Sequence, residues 1–435
     1  MDKRMITFFA AVGLCLTILA QNTAREEIAA NRYLCGSNYL DYDRHPATKP
    51  LTPAPKDYEP FYLSHYGRHG SRWLIGKRDY TRVADVLRKA DQQGKLTPQG
   101  KETLEKLERF IPCTVKRLGD LTTVGERQHH GIGRRLAEHF PEIFKAKGVA
   151  IDARSTVVTR CILSMMAECE ELAAANPTAR FHNDVSESLQ YYLNQPWDGL
   201  VKEQSKRVKW EEKRAYQKRV TKSDRLMQAL FNDKRWVSDS INAVNLMYDL
   251  FEVAANMQSH DTDIELLSLF TDDELYAQWC IRNWSWYLEY GAAPQTGGIM
   301  PFSQRNLLRN IIETADTVLG TSAAKANTQA TLRFGHEVCV MPLACLLELD
   351  QCGISIDNPD SLDRYWRNYN IFPMACNIQL VFYRPKKGKN GDVLVKALLN
   401  EREANLPVGT HQWPYYQWTE LRQYYLQKLQ DFEKQ

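Results

Sequence analysis

The chain has 435 residues, 43% hydrophobic and 25% charged, which is ordinary globular composition with ample material for a large core. The formal net charge of only +3 excludes a protein that coats polyanions, so no nucleic-acid partner is expected and any anion must be met by local clusters of Arg and Lys. Length allows two to three domain-sized units, or one core with an insertion.

At the N-terminus, Lys3 and Arg4 precede a mostly apolar run from Met5 to Ala20, closed by Gln21 and Asn22. The run is too short for a comfortable membrane span and has the build of a secretory signal peptide over 1–20. No later segment is apolar for about 18 residues, so no stable membrane span is expected and the mature protein is expected to be periplasmic or secreted. Losing Cys15 with the signal leaves an odd number of cysteines, so at least one thiol stays outside any pairing within the chain. No CxxC pair and no zinc-type spacing appears, and neither a metal nor another cofactor is expected. His129 and His130 are read as surface or rim residues. Oligomeric state is left open.

From Ala47 to Pro60, repeated prolines predict an extended lead-in. FYLSHYGRHG, 61–70, predicts a buried strand running into a loop. Helices are predicted over 78–92, over 101–111 with Pro112 as the stop, and over 123–140. A short apolar piece at 149–151 leads into a polar turn at 152–156, and 160–175 is rich in helix formers. Residues 190–321 show charged and aromatic helical stretches without strands, which predicts a helical cap inserted into the core. Trp279, Trp284, Trp286 and Tyr287 are expected to pack inside it. Strand into loop returns at 329–336, helix at 338–349, two strands at 377–383 and 393–399 joined by the turn 386–392, and helix at 416–432.

These elements predict an α/β core with a central, mostly parallel sheet flanked by helices. Its first part covers 21–189, the cap 190–321 and the second part 322–435. In such sheets ligands gather at the carboxyl ends of the strands. Arg68-His69-Gly70-Ser71-Arg72 and Gly335-His336-Glu337 both fall at such ends.

The first segment joins two guanidinium forks to an imidazole. The forks bind a phosphate dianion through charge-assisted bonds, and they oppose protonation of His69. A neutral imidazole is a nucleophile. His336 is expected to donate to the phosphoryl oxygens. Glu337 is expected to protonate the leaving alkoxide, with bound phosphate raising its pKa. Lys77 and Arg78 either receive further phosphates or form a solvated helix start.

HYGRHGSR resembles the RHGxR signature of the histidine phosphatase superfamily. RSTVVTRCILS is similar to the segment of the acid phosphatase and phytase branch that supplies a third phosphate-binding arginine; the match falls on Arg160, with Arg154 as second choice. LTTVGERQHHGIGRRL and the late GHE resemble that branch too, and NIQLVFYR and VLVKALLNEREANLP look like multiple inositol polyphosphate phosphatases. The resemblance implies a sheet with a helical cap, a phosphohistidine on His69 and no metal. It also implies an exported phosphomonoesterase acting on inositol polyphosphates such as phytate. A broad acid phosphatase and a non-catalytic phosphate-binding homologue are the alternatives. One departure stands out: the inositol polyphosphate group carries His-Ala-Glu and most acid phosphatases His-Asp, whereas this chain has His336-Glu337-Val338.

Overall fold

The computed structural model describes residues 23–45, 49–195, 199–207, 210–320 and 327–434. The expected signal peptide lies outside them. Eight strands form one sheet in the order β3-β2-β4-β1-β5-β6-β7, with β8 pairing β6. β1 (Tyr58–Arg68), β2 (Ala150–Ser155), β3 (Arg180–Asp184) and β4 (Ala330–Gly335) run parallel. β5 (Asn377–Pro385), β6 (Leu394–Leu399), β7 (Arg402–Ala404) and β8 (Tyr416–Gln417) continue the sheet in antiparallel pairings.

Side chains alternate across the sheet as strand geometry requires. Tyr62 and Tyr66 of β1, with Ile378, Leu380 and Phe382 of β5, enter one core, shared with helices Arg305–Leu319, Glu337–Leu346 and Trp418–Glu433. Leu63 and Val381 enter the opposite core, against helices Thr123–His139 and Thr159–Ala175. Both faces are therefore covered by helices, which suits the parallel strands. A further core joins helices Lys77–Gln92, Pro98–Phe110 and Ala243–Asn256 with the first half of Asp272–Tyr290. Within 190–320 the described residues form helices and no strand. Trp279, Trp284 and Tyr287 are buried and Trp286 packs against the core.

One local expectation is corrected. Residues 152–155, read as a polar turn, belong to β2. Ile151 and Ala153 face the core, while Asp152 and Arg154, two residues apart on the other face, pair with each other at 2.5 Å.

Candidate active site

The crevice opens where β1, β4 and β2 end. In the parallel register Arg68 lies beside Gly335 and Ser155 beside Phe334. The ladder continues one residue further: the His69 amide donates to Gly335 O (3.0 Å) and the Thr156 amide to Phe334 O (3.0 Å). Two segments 267 positions apart in sequence thus share one rim.

Arg68 is fully buried. Its Nη1 donates to the carbonyls of Asn38 (2.6 Å) and Pro373 (3.0 Å), which leaves its other edge facing the crevice. The next turn is tightly gripped by the helix Thr123–His139. Thr122, its N-cap, accepts from the Gly125 amide and donates its hydroxyl to Ser71 O (3.0 Å). Gln128 Oε1 accepts from the Ser71 amide at 2.9 Å. Gly125 is required by proximity, since a Cβ there would lie 2.3 Å from Ser71 O and 2.6 Å from Ser71 N. From the other side, Ser164 Oγ accepts from the Gly70 amide at 3.1 Å. Thr122, Gly125, Gln128 and Ser164 were not assigned roles from sequence. The signal was present, because the LTxxGxxQ spacing sets a cap, a close approach and a side-chain grip along one helix end.

His69 is 0% exposed. Its Nδ1 lies 2.8 Å from Gly70 O, and a carbonyl only accepts, so Nδ1 carries the hydrogen. Nε2 is left with its lone pair and no hydrogen bond among the described residues. Burial, with the fields of Arg68 and Arg160, holds the ring well below the usual histidine range despite nearby Glu337, so it is neutral at physiological pH. His336 caps the helix Glu337–Leu346, with its ring centre 5.6 Å from that of His69. Burial lowers its pKa to about 4.

Arg72 and Arg160 complete the ring of charge. Arg72 donates Nη1 to Trp73 O (3.0 Å). Arg160, on the first turn of the helix Thr159–Ala175, donates Nη1 to Gly119 O (3.2 Å). The Nε of each is buried without a hydrogen-bond partner among the described residues. Arg154 does not reach this ring: it is held by Asp152 and by Tyr192 Oη (2.9 Å). Lys77 stands exposed at the start of its helix.

Glu337 sits among the arginines. Its Oε1 lies 3.1 Å from Arg68 Nη2 and 3.9 Å from Arg72 Nη2, and its Oε2 lies 3.6 Å from His69 Nε2. Burial alone would raise the carboxyl. Arg68, with Arg72 beyond it, outweighs burial and holds Glu337 well below the usual carboxylate range. The carboxylate occupies the point on which the arginines converge.

His69, His336 and Glu337 also place one ligand atom each within 4.8 Å of one another. Three guanidinium groups surround them, and their charge favours an anion over a metal dication at this point. His129, read as a surface or rim residue, is instead fully buried and bonded to Glu168, because it lies on the inner face of its helix; its neighbour His130 turns to Glu171.

A neutral imidazole inside three arginines, at the carboxyl end of a parallel sheet, defines an α/β enzyme site built for an oxyanion. The model of the histidine phosphatase superfamily (branch 2) matches residues 67–400, and the chain belongs to that family; it is an enzyme of the histidine acid phosphatase type. A comparison with curated proteins finds no match. Among solved structures, the multiple inositol polyphosphate phosphatase of Bifidobacterium longum in complex with inositol hexasulfate is similar at TM-score 0.66 and 19% identity, over 90% of this chain and 97% of that one. The phytase from D. castellii is similar at 0.67 and 14%, over 92% and 85%. The Hafnia alvei phytase in complex with tartrate follows at 0.53 and 12%, over 86% and 98%. No helix among the described residues is long and apolar enough to cross a membrane.

Proposed function

We propose that the protein is an exported phosphomonoesterase that removes phosphate from inositol polyphosphates such as phytate, through a phosphohistidine on His69. The observation that carries this reading is the Nε2 lone pair of His69, aimed into a cage of Arg68, Arg72 and Arg160. The substrate phosphate takes the place that Glu337 holds between Arg68 and Arg72. His69 Nε2 attacks phosphorus as the ester P–O bond breaks, with the arginines and His336 stabilising the equatorial oxygens.

Glu337, displaced from its arginines and set beside a dianion, gains proton affinity and gives its proton to the leaving alkoxide. The Glu337 carboxylate then takes a proton from water, whose oxygen attacks phosphorus. The P–N bond breaks and inorganic phosphate leaves. Export rests on the basic and apolar start of the chain. The preference for inositol polyphosphates rests on the sequence resemblance and on the polyphosphate phosphatase and phytases that share the fold.

The test is phosphate release by the mature protein from phytate and from a simple aryl phosphate, in chelator, between pH 4 and 7. A steep preference for phytate supports the reading. Equal use of both moves it to a broad acid phosphatase, and binding without release to a phosphate-binding homologue.

A further inference from the structure

Beneath the nucleophile loop lies a buried polar pair that the mechanism above does not use. His129 and Glu168 are each 0% exposed, and His129 Nδ1 lies 2.7 Å from Glu168 Oε1. We infer that this pair positions the nucleophile, by fixing the register of the two helices between which the His69 loop is suspended. The inference rests on the reading of His69 as the attacking group.

The loop is tied to both helices and to each by a different residue. The Gly70 amide is held by Ser164 of the helix Thr159–Ala175, and the Ser71 amide by Gln128 of the helix Thr123–His139. His129 directly follows Gln128. Glu168 lies one turn beyond Ser164 and two beyond Arg160. Any slide of one helix along the other therefore shears the backbone on both sides of Gly70, next to the reacting ring.

The helices touch closely at this level, since a Cβ on Gly133 would meet Glu168 O at 2.7 Å. Their near contact supplies adhesion, but apolar packing alone leaves their register softly defined. A buried hydrogen-bonded pair costs desolvation and adds little net stability. What it adds is one preferred alignment. The underside is closed by Phe334, whose ring centre lies 5.4 Å from that of His65 and 6.1 Å from that of His129. Phe334 also precedes Gly335 and His336, so the same packing unit touches both halves of the site.

The experiment measures kcat and KM for phosphate release, inhibition by inorganic phosphate, and thermal unfolding. It compares wild type with Glu168→Gln and Glu168→Ala. The carboxamide oxygen still accepts from His129, so Glu168→Gln stays within about threefold of wild-type kcat. Glu168→Ala lowers kcat by about tenfold or more with KM and phosphate inhibition within about threefold, as expected for lost alignment and retained binding. If Glu168→Ala does not fold, Glu168→Asp, which withdraws the carboxylate by one methylene, carries the same expectation. A kcat within about twofold of wild type in the alanine or aspartate variant overturns the inference, as does a Gln variant as impaired as the Ala variant. Wild type that releases no phosphate overturns the nucleophile reading instead, so the two failures are distinct.

Discussion

The two halves of the pocket are held in opposite ways. Around His69, the backbone of Gly70 and Ser71 is fixed by hydrogen bonds of 2.9–3.1 Å from two helices and by a glycine contact that admits no side chain. The imidazole ring of His336, by contrast, has hydrogen-bonding neighbours that stand further off: Thr156 Oγ1 at 3.5 Å and Cys161 Sγ at 3.8 Å. Glu337 is held by charge rather than by a directional network. The attacking atom is placed by rigid backbone, while the proton donor is parked on the cations that substrate will claim. Rigidity is spent where alignment matters, and freedom is kept where a group must change partner.

The largest effect is expected at the rigid half. His69→Ala removes the attacking atom and lowers kcat by about 10⁴-fold or more, while the arginines keep inorganic phosphate bound, as calorimetry will show. At the charge-held half, Glu337→Gln lowers kcat for alkyl phosphates by about 10²- to 10³-fold and for aryl phosphates clearly less, because aryl leaving groups need little protonation. Equal loss on both would remove the donor role.

Returning to the rigid half, Gly125→Ala drives a methyl into the Ser71 backbone and lowers kcat by about 10²-fold, together with the melting temperature. Cys161→Ala removes a buried thiol that donates to Gly335 O at 3.2 Å and stands 3.8 Å from the His336 ring; these are weak sulfur contacts, and kcat changes by less than about threefold. A titration sharpens the contrast. Glu337 is deprotonated in the free enzyme and gains proton affinity beside a dianion, so binding of sulfate, a dianion at every working pH, takes up protons in mildly acidic buffer. Calorimetry in two buffers of different ionisation heat reads that uptake. His69 lies well below the ordinary histidine value, so kcat/KM holds through pH 6.5 on acidification and falls only far below it.

How much of this was legible in the chain differs by residue. Arg68, His69, Arg72, His336 and Glu337 follow from their chemistry and their place at strand ends, Arg160 from the family resemblance alone, and the structure brings all six together. The parallel strands that carry them read clearly, because β1 and β4 are apolar runs that end in polar loops. β3, Arg180–Asp184, did not: it is a polar edge strand, and its pairing with β2 decides its form where its own pattern does not. Asp152 and Arg154 looked like a turn for the same reason. Arg154 competed with Arg160 in the sequence because direction cannot be read there, and a strand partner two residues away settles where its charge goes. His129 was misread because a histidine pair gives no hint of which member faces inward. The low pKa of Glu337 was hidden because it depends on Arg68 and Arg72, which lie far away in sequence and meet the acid only in the fold.

The position of β1 in the sheet has a consequence in time. Its two neighbours are β4 and β5, both drawn from beyond residue 329. A chain still being made, or cut short before β4, carries Arg68, His69, Arg72 and Arg160 but has no strand to seat the segment that bears them. Contacts this distant in sequence form late and slowly. Phosphatase chemistry therefore begins only once nearly the whole polypeptide has been delivered and closed around its first strand, and the unfinished chain is silent.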